Sequence, residues 1–588
     1  MKKLLLAVLL LVAAGIGTSC AADQVLPPST DRESDLQTVT RTETDSDTSA
    51  GIDRDDYLIL AEGGKTDYRL IYSADATTTQ KTVVKSWVSD FGKDTGAPLV
   101  WGTDKKTAPG AREIVFAASL QRDFVNAPME ACPLTGYSIS VAGERIILCA
   151  YSNELYEKAA SRLLGQVEQL GDGVFGIRKD ISLVWQDVKD ADLPKLSSAA
   201  GTLLGGRVYY QGNGNYVVGY ENVTAAEAEA YLTRLAALGY EKKAENRLGA
   251  VSFATYQKAS ATVYTNWNAA EKCFRMTVGN DAYLPPASSG SYTARKAPTL
   301  AQPARNGAKQ TAPGMSYVLQ LADGRYILVD GGGSDADDEA ALLRYLTENK
   351  PDTHEKPVIA LWMATHAHGD HIGLATDFLE HHGKEVTLEA IAHNFPDFQY
   401  NQASKEDLIA GMSAFANRFL VVARAASPTL NCWILHTGQT AEIAGAKIEI
   451  LYTPEDYFPN AIDWGNDTSC AWKITVAGKT ILFSGDCDPI LCDDMAKWYG
   501  ADVLQCDVLQ VCHHGFNGAT MAFYQAIDPK ICLWPCDETR FLEDERCLGT
   551  LSEYAFNQFL REEKWTRGNV TGEREHYHAG QTYIYRFT

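Results

Sequence analysis

The chain has 588 residues, too many for one hydrophobic core, so roughly three or four domains are expected. Apolar residues make up 45% and charged residues 22%, the ordinary mixture of a globular protein, so packed cores can form. A net charge of -22 and a pI near 5.0 argue against a general basic footprint for nucleic acid or anionic lipid.

Residues 1–20 read as a secretory signal. Lys2 and Lys3 form a positive start, Leu4 to Ile16 a short apolar stretch, and GTSC ends at Cys20. The ending resembles a bacterial lipobox, with Gly17 where an aliphatic residue is usual. It implies that Cys20 is lipidated and tethers an exported chain to the membrane. No later stretch is apolar enough over ~20 residues to span a bilayer. Of the 13 cysteines, twelve follow Cys20 and none form a C-x-x-C pair, so small buried core residues are expected.

Residues 21–52, rich in Ser, Thr and Asp, read as a solvated tether. Residues 53–188 alternate strands (YLILAEG, YRLIYS, EIVFAAS) with helices near Thr78 to Phe91 and over NELYEKAASRLLGQV, plus a hairpin turning at Ala142–Glu144. REIVFAAS and GYSISVAGERIIL resemble the small α/β module that precedes many secreted bacterial glycoside hydrolases. A linker, KDADLPKLSSAAG, leads to a second unit, 203–284. It has strands GRVYYQG and NYVVGYEN, a helix opened by a capping box from Thr224 to Glu227 and closed at Gly239, and three further strands. A ferredoxin-like sheet is expected, with Tyr209, Tyr210, Tyr216, Tyr256, Tyr264 and Trp267 in core and edge packing. Residues 285–305, rich in Pro, Ser and Ala, read as a linker, and 306–588 as the part that carries chemistry.

That part contains THAHGDHIG, Thr365 to Gly373, directly after the apolar run VIALWMA. It places His366, His368, Asp370 and His371 within six residues. Imidazole is the commonest neutral metal ligand, and a carboxylate adds the hard oxygen that zinc and manganese accept. His366 and His368, two apart in extended chain, point the same way and suit one ion. Asp370 and His371, at the turn into HIGLATDFLEHH, face a second.

The stretch resembles the His-x-His-x-Asp-His signature of the metallo-β-lactamase superfamily. YILVDGG, TILFSGDCD and VLQVCHHGFNGA resemble its neighbours, in the expected order. The resemblance implies an α/β architecture, an αββα sandwich with two divalent metal ions at its edge. It implies Asp486 as the residue between the ions, His514 as the late ligand, His513 as a substrate contact or proton donor, and Asp330 as structural. The His-His-Gly motif, with Asn466, Asp467 and Ser469 before a strand, resembles the competence DNA-uptake nuclease branch and its phosphorylcholine-esterase relatives. In much of the superfamily a further His completes the first ion. Here only His436 lies in the interval, ahead of a hairpin, and Asn466 is the better candidate. His381 and His382 close a helix and read as exposed, while His576 and His578 read as solvated or near substrate. The expected activity is hydrolysis of a phosphodiester, in nucleic acid or a phosphorylated cell-wall polymer. An ester or lactone hydrolase, and a surface protein that binds cell-wall glycan, are the alternatives.

Overall fold

Val358–Met363 carries no charge, and five of its six residues are buried. Such a strand is covered on both faces, as strands of a parallel sheet are. In the computed structural model it lies inside an eight-stranded sheet. The path runs Asn431–Ile434, Ala390–His393, Val358–Met363, Tyr326–Asp330, Ser316–Gln320, Thr299–Gln302 and Tyr583–Arg586, with Thr387–Leu388 beside it. A seven-stranded sheet faces it, in the order Thr440–Ile443, Ala446–Tyr452, Ala471–Val476, Lys479–Phe483, Val508–Gln510, Ile531–Trp534 and Glu575–His578. Leu319, Ile327, Leu361, Ile448, Trp472 and Phe483 fill the space between the sheets. Helices Ala336–Asn349, Gly369–His382 and Glu406–Ala426 cover the outside of the first sheet through Leu342, Phe378 and Phe419. Helices Pro489–Leu504 and Met521–Ile527 cover the second through Leu491, Met495 and Phe523. The C-terminal part is thus an αββα sandwich.

In the first sheet Tyr326–Asp330, Val358–Met363 and Ala390–His393 are parallel, and in the second Lys479–Phe483, Val508–Gln510 and Ile531–Trp534 are. Parallel neighbours end at the same edge of a sheet, so the segments that follow them gather there. Those segments carry Asp330, THAHGDHIG, Asp486, the His513–His514 pair and Pro535.

The structure describes residues 53–587 apart from 77, 118–119, 121, 152, 187–192, 197–201, 204–208, 211–214, 280–283, 306–313, 397–405, 461, 463 and 563. The expected signal, tether and Cys20 lie outside the described residues, as does most of the linker KDADLPKLSSAAG. Among the described residues no helix is long and apolar enough to cross a membrane. Among the described residues no disulfide joins the twelve cysteines after Cys20, and only Cys432 is not buried, in keeping with core filling.

Before the sandwich, a six-stranded mixed sheet follows the path Val100–Thr103, Arg69–Tyr72, Glu113–Phe116, Arg145–Ala150, Gly136–Ala142 and Ser182–Gln186. Helices Thr78–Thr95 and Asn153–Leu164 pack on one face and Asp123–Ala131 on the other. The hairpin turns at Ala142–Glu144 as expected, with Gly143 at φ +64. The next sheet is antiparallel throughout and carries one helix, Ala225–Ala237, opened by the expected capping box of Thr224 and Glu227. Four of its strands, Glu241–Leu248 through Cys273–Gly279, form a simple meander, so the ferredoxin-like expectation fails. Glu241–Leu248 is polar along its length and escapes sequence detection because it is an exposed edge strand with no buried face to pattern it. Tyr216, Tyr256 and Tyr264 are buried core residues.

Two features depart from a chain of separate units. Thr299–Gln302, which reads as linker because Pro298 and Pro303 bracket it, pairs with Ser316–Gln320 and with the last strand, Tyr583–Arg586. Val217, Val251, Phe253 and Cys273 of the meander sheet share one core with Met495, Trp498 and Tyr499 of the sandwich. The backbone N–H of Ala250 donates to the Trp498 carbonyl at 2.8 Å.

Candidate metal centre

Beyond Val358–Met363 the chain stays extended until His368, which caps the helix Gly369–His382 without a side-chain cap bond. The His368 ring is therefore free to turn from the helix end. His366 Nε2 and His368 Nδ1 face each other at 2.8 Å. Asp370 and His371 occupy the first helical turn, where a carboxylate also suits the helix dipole. The imidazole of His371 is fully buried and its Nδ1 donates to Asp330 Oδ2 at 2.9 Å. Asp330 also accepts from Thr365 N and Thr365 Oγ1, both at 2.8 Å. A carboxylate on Nδ1 fixes the tautomer and leaves Nε2 as an electron-pair donor aimed inward.

The second sheet supplies the rest. The turn after Lys479–Phe483 is fastened by Gln510, whose Oε1 accepts from Ser484 N at 2.7 Å and Gly485 N at 2.8 Å. Gly485 has φ +54, and a Cβ there would lie 2.8 Å from Thr365 Cβ, so this approach of the two loops needs glycine. It carries Asp486 into the centre. Asp486 Oδ2 lies 3.2 Å from His371 Nε2, 3.5 Å from His514 Nε2, 3.7 Å from His513 Nε2 and 3.9 Å from His366 Nε2. His513 and His514 both adopt positive φ, 44° and 57°, which costs backbone energy and sends both rings toward the centre. His514 Nδ1 donates to the Pro535 carbonyl at 2.7 Å, so its Nε2 also stays open, 3.3 Å from Asp370 Oδ2.

Two groups result: His366, His368 and Asp486, and Asp370, His371 and His514. In each, one candidate ligand atom per residue lies within 4.8 Å of the others. Asp486 borders both. Asn466 and His513 share the remaining corner, with Asn466 Nδ2 3.2 Å from His513 Nε2. The structure thus brings together His366, His368, Asp370, His371, Asp486, Asn466, His513 and His514, with Asp330 behind them. Sequence reading missed Gln510 and Pro535 and gave Thr365 no role. A glutamine closing a buried strand was the one available signal.

Four polar atoms here are buried without a well-formed hydrogen bond: His371 Nε2, His514 Nε2, Asp486 Oδ1 and Asn466 Oδ1. Buried polar groups are normally paired, so this convergence of unpaired electron-pair donors is the residue pattern that divalent ions fit. The charges agree. Burial opposes ionisation of Asp486, but His371, His514 and His513 hold its carboxyl well below the usual range. Burial likewise opposes charge on His514, yet Asp486 and Asp370 push it up to about 10. Burial, with His371 and His368 adding to it, pushes His366 well down. His513 is pushed down by burial, Asp486 opposing.

The other histidines lie elsewhere. His381 pairs with Glu339 and His382 with Glu385 on the helix surface. His436, as expected, is not in the cluster: its Nδ1 meets Glu455 Oε1 at 2.6 Å and its ring stacks on Tyr264. His393 Nε2 faces Cys432 Sγ. His576 accepts from Trp534 Nε1, and His578 stacks on Phe541. His578 is buried and His576 partly so, both packed in the final strands and outside the two groups of candidate ligands.

Residues 311–414 match the family model for the metallo-beta-lactamase superfamily. No curated protein sequence matches the chain. Among solved structures, CmlA, a diiron β-hydroxylase from Streptomyces venezuelae, is similar at 13% identity and a TM-score of 0.29, over 50% of this chain and 54% of that one. The match therefore spans about half the length of CmlA. The metallo-beta-lactamase fold protein YhfI from Bacillus subtilis is similar at 14% identity and a TM-score of 0.24, over 41% of this chain and 85% of its own. The short form of human tRNase Z is similar at 13% identity and a TM-score of 0.23, over 40% and 90%. The αββα sandwich at the C-terminal end of the chain is a metallo-β-lactamase domain.

Proposed function

We propose that the protein is a metal-dependent hydrolase that binds two divalent ions, zinc ahead of manganese, and cleaves a phosphodiester. The observation that carries this is the convergence of His371 Nε2, His514 Nε2, Asp486 Oδ1 and Asn466 Oδ1, buried and unpaired. His366, His368 and Asp486 would hold one ion, with Asn466 at its open corner. Asp370, His371 and His514 would hold the other, with Asp486 between them. When bound, such a pair lowers the pKa of water towards neutrality and polarises the oxygen of the bond under attack.

The chain's own groups divide the remaining work. Asp370, whose side chain is 31% exposed, reaches the mouth and orients the attacking water. His513, its side chain 20% exposed and held neutral by burial, takes up a proton at Nε2 and returns it to the leaving oxygen. Asp330 and the Pro535 carbonyl keep His371 and His514 in the tautomer that presents Nε2.

The His-His-Gly and Asn-Asp-x-Ser features, which resemble the competence nuclease branch, favour a phosphodiester over a β-lactam, in nucleic acid or a phosphorylated cell-wall polymer. An ester or lactone would meet the same centre and is the second reading. The basic and apolar start of the chain, ending at Cys20, supports export and lipid anchoring at the membrane, facing the cell wall. Metal content by elemental analysis, followed by hydrolysis of bis-p-nitrophenyl phosphate beside nitrocefin, tests the reading. Two ions per chain and turnover of the phosphate diester are expected. A metal-free, inactive protein that binds cell wall would replace the hydrolase reading with that of a glycan-binding protein.

A further inference from the structure

Two glycines let neighbouring side chains and loops come close around the first group of ligands. A Cβ on Gly465 would collide with His368 Nε2 and with Met412 Sδ. A Cβ on Gly369, between His368 and Asp370, would lie 3.1 Å from the Phe415 ring. Met412 and Phe415 are one turn apart on the helix Glu406–Ala426. Met412 is buried in the outer core with Ala416 and Phe419. Phe415 is 44% exposed, although it stands against the metal-binding loop. Trp464, next to Gly465, is 55% exposed. Two large aromatic side chains thus stand partly in water, Phe415 against the loop that carries the ligands and Trp464 beside the glycine that abuts His368.

We propose that Phe415 and Trp464, backed by Met412, form a stacking shelf that selects substrates with a flat, uncharged ring next to the scissile phosphodiester. The inference rests on the hydrolase reading and narrows its substrate class. Stacking suits this mouth better than capture of a long polyanion. The chain as a whole carries -22. Binding several phosphates calls for Lys and Arg and is steeply weakened by salt, whereas a ring on an aromatic shelf is held by contact that salt screens little.

The test uses the metal-loaded full chain and the affinities, by titration calorimetry, of phenylphosphonate and methylphosphonate, which share the anionic head. Stacking predicts that phenylphosphonate binds about five- to tenfold tighter. That ratio should fall towards one in Phe415→Ala and in Trp464→Ala, return in Phe415→Tyr, and change little with added salt. Metal content should be unchanged in all three variants, which separates the shelf from the ligands. A wild-type ratio near one, or a ratio that both alanine variants keep, overturns the shelf while leaving the hydrolase reading intact. Failure of a two-ion protein to bind either compound overturns both.

Discussion

Asp330→Asn is the sharpest test of how the second group is held. The change is nearly isosteric, and asparagine tolerates φ +52 as well as aspartate does, so the backbone is not perturbed. Asp330 receives three donors: Thr365 N and Thr365 Oγ1 at 2.8 Å and His371 Nδ1 at 2.9 Å. An amide has one acceptor oxygen. If the oxygen faces Thr365 N, the NH2 group meets His371 Nδ1 and drives its proton to Nε2, which blocks the electron pair needed for an ion. If the oxygen faces His371, the NH2 group meets the buried Thr365 N–H, donor against donor. Either orientation loses about 1.5–3 kcal/mol of charge-assisted bonding, and loss of such an outer partner weakens metal binding about 10- to 100-fold. The assay is metal content after equilibration against graded chelator, with urea unfolding of the metal-free protein in parallel. An unchanged chelator midpoint and unchanged unfolding in Asp330→Asn would refute the role given to Asp330.

His368→Ala should reduce diester hydrolysis to background and lower the metal content together, read by elemental analysis and bis-p-nitrophenyl phosphate turnover. Activity that persists with full metal content would sink the assignment of the first group. His436→Ala should leave metal content unchanged and destabilise the fold by about 1–3 kcal/mol, because buried Glu455 loses one of its hydrogen-bond partners; urea unfolding checks this. Burial, opposed by Arg275, pushes Asp456 from 3.8 up to about 7. A carboxyl protonated in the fold and ionised in the unfolded chain stabilises fully below pH 3.8, and that contribution fades as the pH rises through about 7. At full expression it is worth about 4 kcal/mol. Asp456→Asn keeps a neutral group, and the unpaired Asn266 Oδ1 stands ready to accept from its amide, so the loss of stability between pH 5 and 7 should flatten. An unchanged slope of unfolding free energy against pH would contradict the protonated state.

Sequence reading reaches residues whose chemistry is dense along the chain and loses those assembled by packing. His366, His368, Asp370 and His371 are legible because four candidate ligands within six positions suit little besides a metal ion. Asp486 is ordinary as a residue and becomes a candidate only through its place after an apolar strand. Asn466 is named for the open corner from the resemblance, but its meeting with His513 is not legible, since the two are 47 positions apart and meet through the positive φ of His513. His576 and His578 show the reverse case. Their i, i+2 spacing imitates a ligand pair, while Trp534 and Phe541 take up both rings.

The same logic decides whether the sandwich is separable from what precedes it. Composition marks a break at 285–305, and a break in composition records only the absence of local pattern. The structure places Thr299–Gln302 inside the first sheet, where it joins Ser316–Gln320 to the last strand of the chain. It also seats Val251 and Phe253 on the helix Pro489–Leu504, which begins three residues after Asp486. A cut ahead of Leu284 would uncover Met495, Trp498 and Tyr499, a core face rather than a domain surface. It would also loosen the helix whose first turn follows a residue placed between the two ion sites. The meander sheet is therefore part of what positions the centre, although no residue in it could bind an ion there.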